Sequence, residues 1–245
     1  MDLLKSWAIA RKDLKIIKKR KILLAMLIGF PLIIGVGLPS ITEVLIARKG
    51  FIASTDSDLI SAFGFFFIIL SAFIPLYISS YGIIGEKMEK SIEPLLSTPT
   101  KDGEILMGKY LGAWIPSLAA VYVGAAIFMI LIDLLTYNDF KYYFFPNNSF
   151  TILLLVAVPA ASTYAITLSV FVSSKVNNVI SAYQGGGVTL IPFIILYVMG
   201  EIGIVKLYET NNVLYISLAL AIIAVIMFFI SRETFGREKI LTEWK

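Results

Sequence analysis

The sequence predicts an all-α, polytopic integral membrane protein with six transmembrane helices and an amphipathic interfacial helix at its N-terminus. Three observations carry that reading. Apolar residues make up 58% of the 245, against 16% charged, where soluble domains are about half apolar and a quarter charged. The apolar residues fall in blocks of about 20 or more, the length that crosses a hydrocarbon core of about 30 Å. Lys and Arg are distributed unevenly between the connections.

The first 21 residues hold eight basic side chains. Leu3, Trp7, Ala10, Leu14 and Ile17 recur at steps of three and four, while Lys5, Lys12, Lys15, Lys18 and Lys19 take other faces. This pattern predicts a helix lying in the headgroup plane with its cations towards anionic lipid. A basic tail that only sets topology is the alternative. No small-residue cleavage site follows the first apolar run, so a cleaved signal is not expected.

Six spans follow. Ile22–Thr42 is charge-free and its apolar run passes Glu43 to about Ile46. Leu59–Gly85 is the second and Tyr110–Ile132 the third. The fourth lies within Tyr142–Ser174, its crossing part near Phe150–Ser174. Val176–Gly200 and Thr210–Ser231 are the fifth and sixth. Backbone polar groups in lipid must pair within the segment, which makes each span a helix. The ten-residue alternation of a membrane β-barrel is missing. Pro31, Pro39, Pro75, Pro116, Pro159 and Pro192 lie inside these blocks, where membrane helices tolerate them as kinks. Pro31 and Pro39 are expected to make the first span irregular.

Seventeen of the 21 Lys and Arg residues fall on the side shared by both termini, the 86–109 loop and Lys175. The positive-inside rule places that side in the cytoplasm of a cell-membrane protein. A re-entrant segment near Gly200–Asn212 is the competing topology. No 20–50-residue repeat is visible. The domain plan is therefore a cytoplasmic amphipathic helix at 1–21, a transmembrane domain at 22–231 and a cytoplasmic tail at 232–245. The basic excess needs no nucleic-acid partner, since orientation accounts for it.

With no Cys and no His, disulfides, Cys/His zinc sites, thiol nucleophiles and His-based triads are excluded. Metal sites made of carboxylates alone stay open in principle, though none is expected.

The most informative stretch is the loop at 86–109. Glu86, Glu89 and Glu93 step by three and four and share a helical face. Pro94 turns the chain, Leu95 and Leu96 form a small apolar pair, and Pro99 breaks it again. Thr98 or Thr100 suits the cap of the next helix and Glu104 its first turn. Two readings fit: a knob that docks another protein, or a solvated loop whose leucines fold back on the bilayer.

Glu86-Lys87, then Ile92-Glu93-Pro94-Leu95-Leu96-Ser97-Thr98-Pro99, then Glu104-Ile105-Leu106-Met107-Gly108-Lys109, resembles the signature loop of type-2 ATP-binding-cassette exporter permeases. The family pattern is an E-[RK] pair, a G-T-x-E-x-L-L-x-T-P core and an E-x-x-x-G-K close. Ser91-Ile92 stands here where Gly-Thr is common. The short stretch Glu201–Asn212 leaves little room for the re-entrant helices of larger relatives. The resemblance also takes in the N-terminal helix and the six spans. It implies a permease subunit that works as a dimer, with itself or a homologous partner, and exports cargo. It implies that the loop contacts a separate ATPase subunit, which binds the ATP and Mg, so that this chain needs no cofactor of its own. Glu86, Glu93, Leu95, Leu96, Thr98 and Pro99 would transmit the ATPase movement. Glu93 would meet a basic residue of the partner, Leu95 and Leu96 would be buried anchors, and Pro94 and Pro99 would stiffen the elbow.

Other motifs point less far. Gly103 to Gly108-Lys109 nearly matches a phosphate loop, but Tyr110 stands where Ser or Thr must hold Mg²⁺, so this chain is not expected to be an enzyme. Tyr183 and Gln184, ahead of Gly185-Gly186-Gly187, are candidates for lining a translocation path, as are Ser162 and Thr163 of the fourth span. The glycines suit either a flexible break or close helix packing, and packing is the stronger reading. Glu43 and Asp133 are expected in solvent at span ends. Asn147-Asn148-Ser149 is an N-x-S sequon on the expected external side. An ion-coupled secondary transporter would need ionisable groups at mid-membrane, and the spans offer none there. A non-transporting scaffold or assembly factor is a further reading that the sequence leaves open, whereas an intramembrane hydrolase lacks its usual nucleophiles.

Overall fold

The computed structural model describes residues 2–50, 52–88, 100–175 and 179–234. Every regular element they form is helical. Among the described residues, five helices suit a membrane crossing by length and composition: Lys21–Arg48, Thr55–Glu86, Asp102–Phe140, Asn148–Ser173 and Thr210–Arg232. A shorter apolar helix, Gln184–Gly200, takes the place of the expected fifth span.

Helix α1 (Leu3–Lys19) starts where the Asp2 carboxylate accepts the Leu4 N–H at 3.0 Å, and ends on Lys18 and Lys19, whose charges suit a helix C-terminus. The buried face differs from the expected apolar stripe. Ser6, Ile9, Ala10, Asp13 and Ile17 are buried, while Leu3, Leu4 and Trp7 remain exposed. Helix α1 packs along the long helix that starts at Asp102, with Ser6, Ile9, Ala10 and Asp13 at the contact.

Helix α2 (Lys21–Lys49) runs unbroken through Pro31 and Pro39, contrary to the irregularity expected there. It stops at Gly50, whose φ of 78° is open to glycine alone at little cost. The second span is two helices, α3 (Ala53–Phe63) and α4 (Phe65–Met88), joined at Gly64. A Cβ on Gly64 would lie 2.9 Å from the Phe150 ring.

Helix α5 (Asp102–Phe140) has 39 residues, about 58 Å at the α-helical rise, nearly twice the hydrocarbon thickness. It is the spine of the bundle. Helix α1 lies against its first turns and α2 against its middle. The α2–α5 crossing is close because both sides are glycine. A Cβ on Gly35 would meet the Gly124 carbonyl oxygen at 2.6 Å, and one on Gly124 would meet Pro31 Cβ at 2.8 Å. Small residues at a crossing let helix backbones approach in lipid.

The fourth span contains α6 (Asn148–Ile152), a π-helical turn at Leu153–Ala157, and α7 (Val158–Lys175). The wide turn explains how Pro159 is accommodated. Val158 N–H bonds back to Leu153, and Pro159, next in the same register, has no N–H for the Leu154 carbonyl. Tyr122 Oη donates to that carbonyl at 3.1 Å. Pro75 in α4 likewise deprives the Ser71 carbonyl of its partner, and Ser162 Oγ of α7 donates to it at 2.9 Å. Ser169 Oγ reaches the Leu76 carbonyl at 3.1 Å and Ser80 Oγ at 2.6 Å, so α4 and α7 are joined by a polar seam.

The fifth span is broken. Helix α8 (Val179–Gly187) passes into a 3₁₀ turn at Val188–Leu190 and then α9 (Ile191–Glu201), with Pro192 in its first turn. Two of the three glycines serve packing: a Cβ on Gly185 would meet Val172 at 2.6 Å and one on Gly186 would meet Leu76 at 3.2 Å, whereas one on Gly187 would meet nothing within 4 Å. Turns fill the stretch up to α10 (Thr210–Thr234), and no re-entrant helix occurs there. Phe67, Phe128, Phe145 and Phe150 knit one end of the bundle, with ring centroids 4.7–5.8 Å apart. Asp133 is half-buried rather than solvated, accepting the N–H groups of Phe144 and Phe145 at 2.8 and 3.0 Å. Glu43 is exposed, as expected. Asn147 of the sequon caps α6 through the Phe150 N–H, and Ser149 is buried against Thr210.

The α2–α5 crossing can be tested by paired substitutions. Gly35→Ala should lower unfolding stability in detergent by about 1–3 kcal/mol. Gly37→Ala, with nothing near its Cβ, should leave the thermal midpoint nearly unchanged.

Candidate coupling site

The end of α4, the start of α5 and α1 meet at one end of the bundle, and the last turn of α10 joins them, with Arg232 Nε 3.9 Å from a Cβ built on Gly103. This is where the 86–109 loop leaves α4 and rejoins α5. Glu93, Pro94, Leu95, Leu96, Thr98 and Pro99 lie outside the described residues. The stems that hold them are described.

The N-cap of α5 is Lys101 rather than a threonine. Glu104, three residues on, turns back so that Oε2 accepts the Lys101 N–H at 3.0 Å and Oε1 accepts the Asp2 N–H at 2.8 Å. One carboxylate thus fastens both the start of α5 and the start of α1. The next turns of α5 present Gly108 and Gly112 to α1. A Cβ on Gly108 would lie 2.6 Å from Ile9 Cβ and 2.8 Å from the Ser6 carbonyl oxygen, and one on Gly112 would lie 2.9 Å from Asp13 Cβ. The four-residue spacing puts both glycines on one face.

This close approach brings four charged groups together. Lys109 Nζ donates to the Gly82 carbonyl at 2.8 Å and to Asp13 Oδ1 at 3.2 Å. It also lies 2.7 Å from Glu86 Oε2, within ion-pair range but off the alignment of a hydrogen bond. Glu86 Oε1 accepts from Lys12 Nζ at 2.6 Å. Glu86 and Lys109 are almost fully buried, with side chains 5% and 6% exposed, whereas Lys12 is 44% exposed. Two acids and two bases balance formally, which is what allows such groups to leave water. Burial pushes the Asp13 carboxyl above its ordinary range and the Glu86 charge adds to the rise, while Lys109 opposes it. A cavity of about 20 Å³ beside Asp13, Gly82, Glu86 and Lys109 has room for about one water.

Of the residues picked out in the sequence, Glu86 is thus held inside the protein by two lysines. Its partners Lys12, Asp13 and Lys109 were not foreseen as a unit. The signal available was Asp13, an acid set among cations on the helical face that also holds Ser6, Ile9, Ala10 and Ile17. The path candidates are scattered. Ser162 is fully buried in the α4–α7 seam, and Thr163 Oγ1 donates to Pro159 at 2.8 Å and meets Tyr110 Oη at 2.7 Å. Tyr183 and Gln184 lie on α8, where Gln184 is exposed.

The pattern of a family described as "ABC-2 family transporter protein" matches residues 7–240, from α1 through the sixth span. The chain belongs to the ABC-2 transporter family. As an ABC-2 permease it is a membrane component of a transporter, embedded as a multi-pass helical protein and partnered with an ABC ATPase subunit. A comparison with curated proteins finds no match. Within the ABC-2 permease, the Glu-x-x-x-Gly-Lys close of the loop has a physical reading. Glu104 ties the helix starts, Gly108 admits α1, and Lys109 neutralises the acids of both neighbours.

Lys109→Met should leave Asp13 without its ion-pair partner and Glu86 with Lys12 alone, and lower stability by about 3–5 kcal/mol. Lys12→Met, removing a half-exposed cation, should cost no more than about 1 kcal/mol. Thermal unfolding of the two variants in the same detergent provides the comparison.

Proposed function

We propose that this permease is the membrane half of an ATP-driven exporter. Two copies, or one copy and a homologous partner, enclose the path, and the loop after the second span receives the stroke of a separate ATPase subunit. Both termini and that loop face the cytoplasm of the cell membrane. The observation that supports this best is the 2.7 Å pairing of Glu86 with Lys109, the residues that bracket the loop.

A loop hung between two independent helices would absorb a push by splaying them. With its stems joined, the loop moves as one piece with the end of α4 and the start of α5. The contacts of Lys109 with Asp13 and of Lys12 with Glu86 add α1 to that piece. Closure of the ATPase pair on ATP would press on Leu95 and Leu96, with Glu93 orienting the contact and Pro94 and Pro99 keeping the elbow stiff. The stem would then carry the displacement into α5 and, through Gly124, into α2. In this scheme Glu86 positions the loop and does not itself touch the partner. ATP and Mg belong to the other subunit. The apolar spans favour a lipophilic or amphipathic cargo.

The chain has no cysteine, so a single Leu95→Cys gives an unambiguous label. It should react with a membrane-impermeant maleimide only after cells are opened, and should crosslink to a co-purifying ATPase subunit. Labelling from outside intact cells would remove the coupling role. Glu93→Ala with Leu95→Ala should abolish transport-linked ATP hydrolysis while leaving the purified protein's melting profile unchanged.

A further inference from the structure

Helix α1 has a second face. Opposite the side that docks on α5, Leu4, Trp7, Arg11, Lys12, Lys15 and Lys19 line an open groove of about 510 Å³. All six are exposed, Leu4 by 80%. They follow the three- and four-residue steps of one helical stripe, apolar at its start and basic along the rest. From Trp7 to Lys19 the stripe extends about 18 Å, enough for more than one headgroup. Exposed leucine and tryptophan beside a row of cations suit a bilayer surface that carries negative charge, with the rings and aliphatic stems in the acyl boundary and the ammonium groups at the phosphates.

Lys12 belongs to both faces. It lines this groove and also holds Glu86 at 2.6 Å. A headgroup phosphate at Lys12 competes directly with the Glu86 carboxylate for the same ammonium. Glu86 then keeps only the buried Lys109.

We propose that the outer face of α1 is a binding site for anionic lipid headgroups, and that Lys12, shared between this site and Glu86, makes the loop stem responsive to the charge of the membrane. The consequence for coupling rests on the function proposed above. The lipid site itself does not, and the following measurements involve no ATPase, so the two can fail separately.

The full chain carrying Trp114→Phe and Trp244→Phe retains Trp7 as its one tryptophan. It is reconstituted in phosphatidylcholine vesicles containing one-fifth phosphatidylglycerol, either lipid being brominated near the top of its acyl chains. Brominated phosphatidylglycerol should quench Trp7 as though enriched locally at least about fivefold, the preference that a single well-placed cation supplies. Arg11→Gln, Lys15→Gln and Lys19→Gln together should erase the preference with the melting profile intact. Equal quenching by both lipids at equal mole fraction would overturn the site. Displacement by millimolar glycerol phosphate would also overturn it, by showing a site for soluble phosphate. For the shared lysine, Lys12→Gln should lower the melting midpoint in pure phosphatidylcholine and lower it by less than half as much with phosphatidylglycerol present. An equal drop in both membranes would overturn the link to Glu86.

Discussion

One ammonium group, Lys109 Nζ, meets a carboxylate of α1, a carboxylate of α4 and a backbone carbonyl of α4. These segments are distant in sequence, and apolar packing alone leaves their relative register soft, because lipid tails compete with side chains for the same contacts. A buried ion cluster adds little stability over an apolar patch of equal volume, yet losing one of its members is costly. Its contribution is therefore alignment. The glycines at 108 and 112 make that alignment possible, since any Cβ there would hold α1 off and leave Lys109 short of Asp13.

The same accounting of buried polar groups explains the spans. Water is absent from the hydrocarbon, so each carbonyl that a proline deprives of its partner needs another donor. Ser162 answers Pro75 at the Ser71 carbonyl, and Tyr122 answers Pro159 at the Leu154 carbonyl. Hydroxyls inside a span invite interpretation as a route for cargo. Here Ser162 serves a carbonyl that Pro75 leaves open, and with Ser80 and Ser169 it makes the polar seam between α4 and α7.

The membrane class, the long spans and the N-terminal helix were legible in the sequence because hydrophobic blocks and charge bias are local properties. The break in the fifth span was visible only as Pro192 and Gly185-Gly186-Gly187, and the glycines favoured packing over a break. The docked face of α1 was not legible, because Ser6, Ile9, Ala10 and Asp13 meet a helix that starts about ninety residues later and form no apolar stripe of their own. The ion cluster joins residues 12 and 13 to 86 and 109, and no local pattern reports a contact across such separations. Glu104 and Lys109 stood in a recognisable motif, but their use in binding α1 depends on a helix that begins a hundred residues earlier.

The great length of α5 has a mechanical corollary. The helix is continuous and is gripped where Gly124 touches α2, about 33 Å from its Asp102 end and about 24 Å from its Phe140 end. A rod held at such a point is a lever with an off-centre fulcrum. A sideways step imposed on the Asp102 arm would emerge at the Phe140 arm in the opposite sense, at roughly three-quarters of its size. One end of the bundle would then widen as the other narrows, without any change in the helix itself.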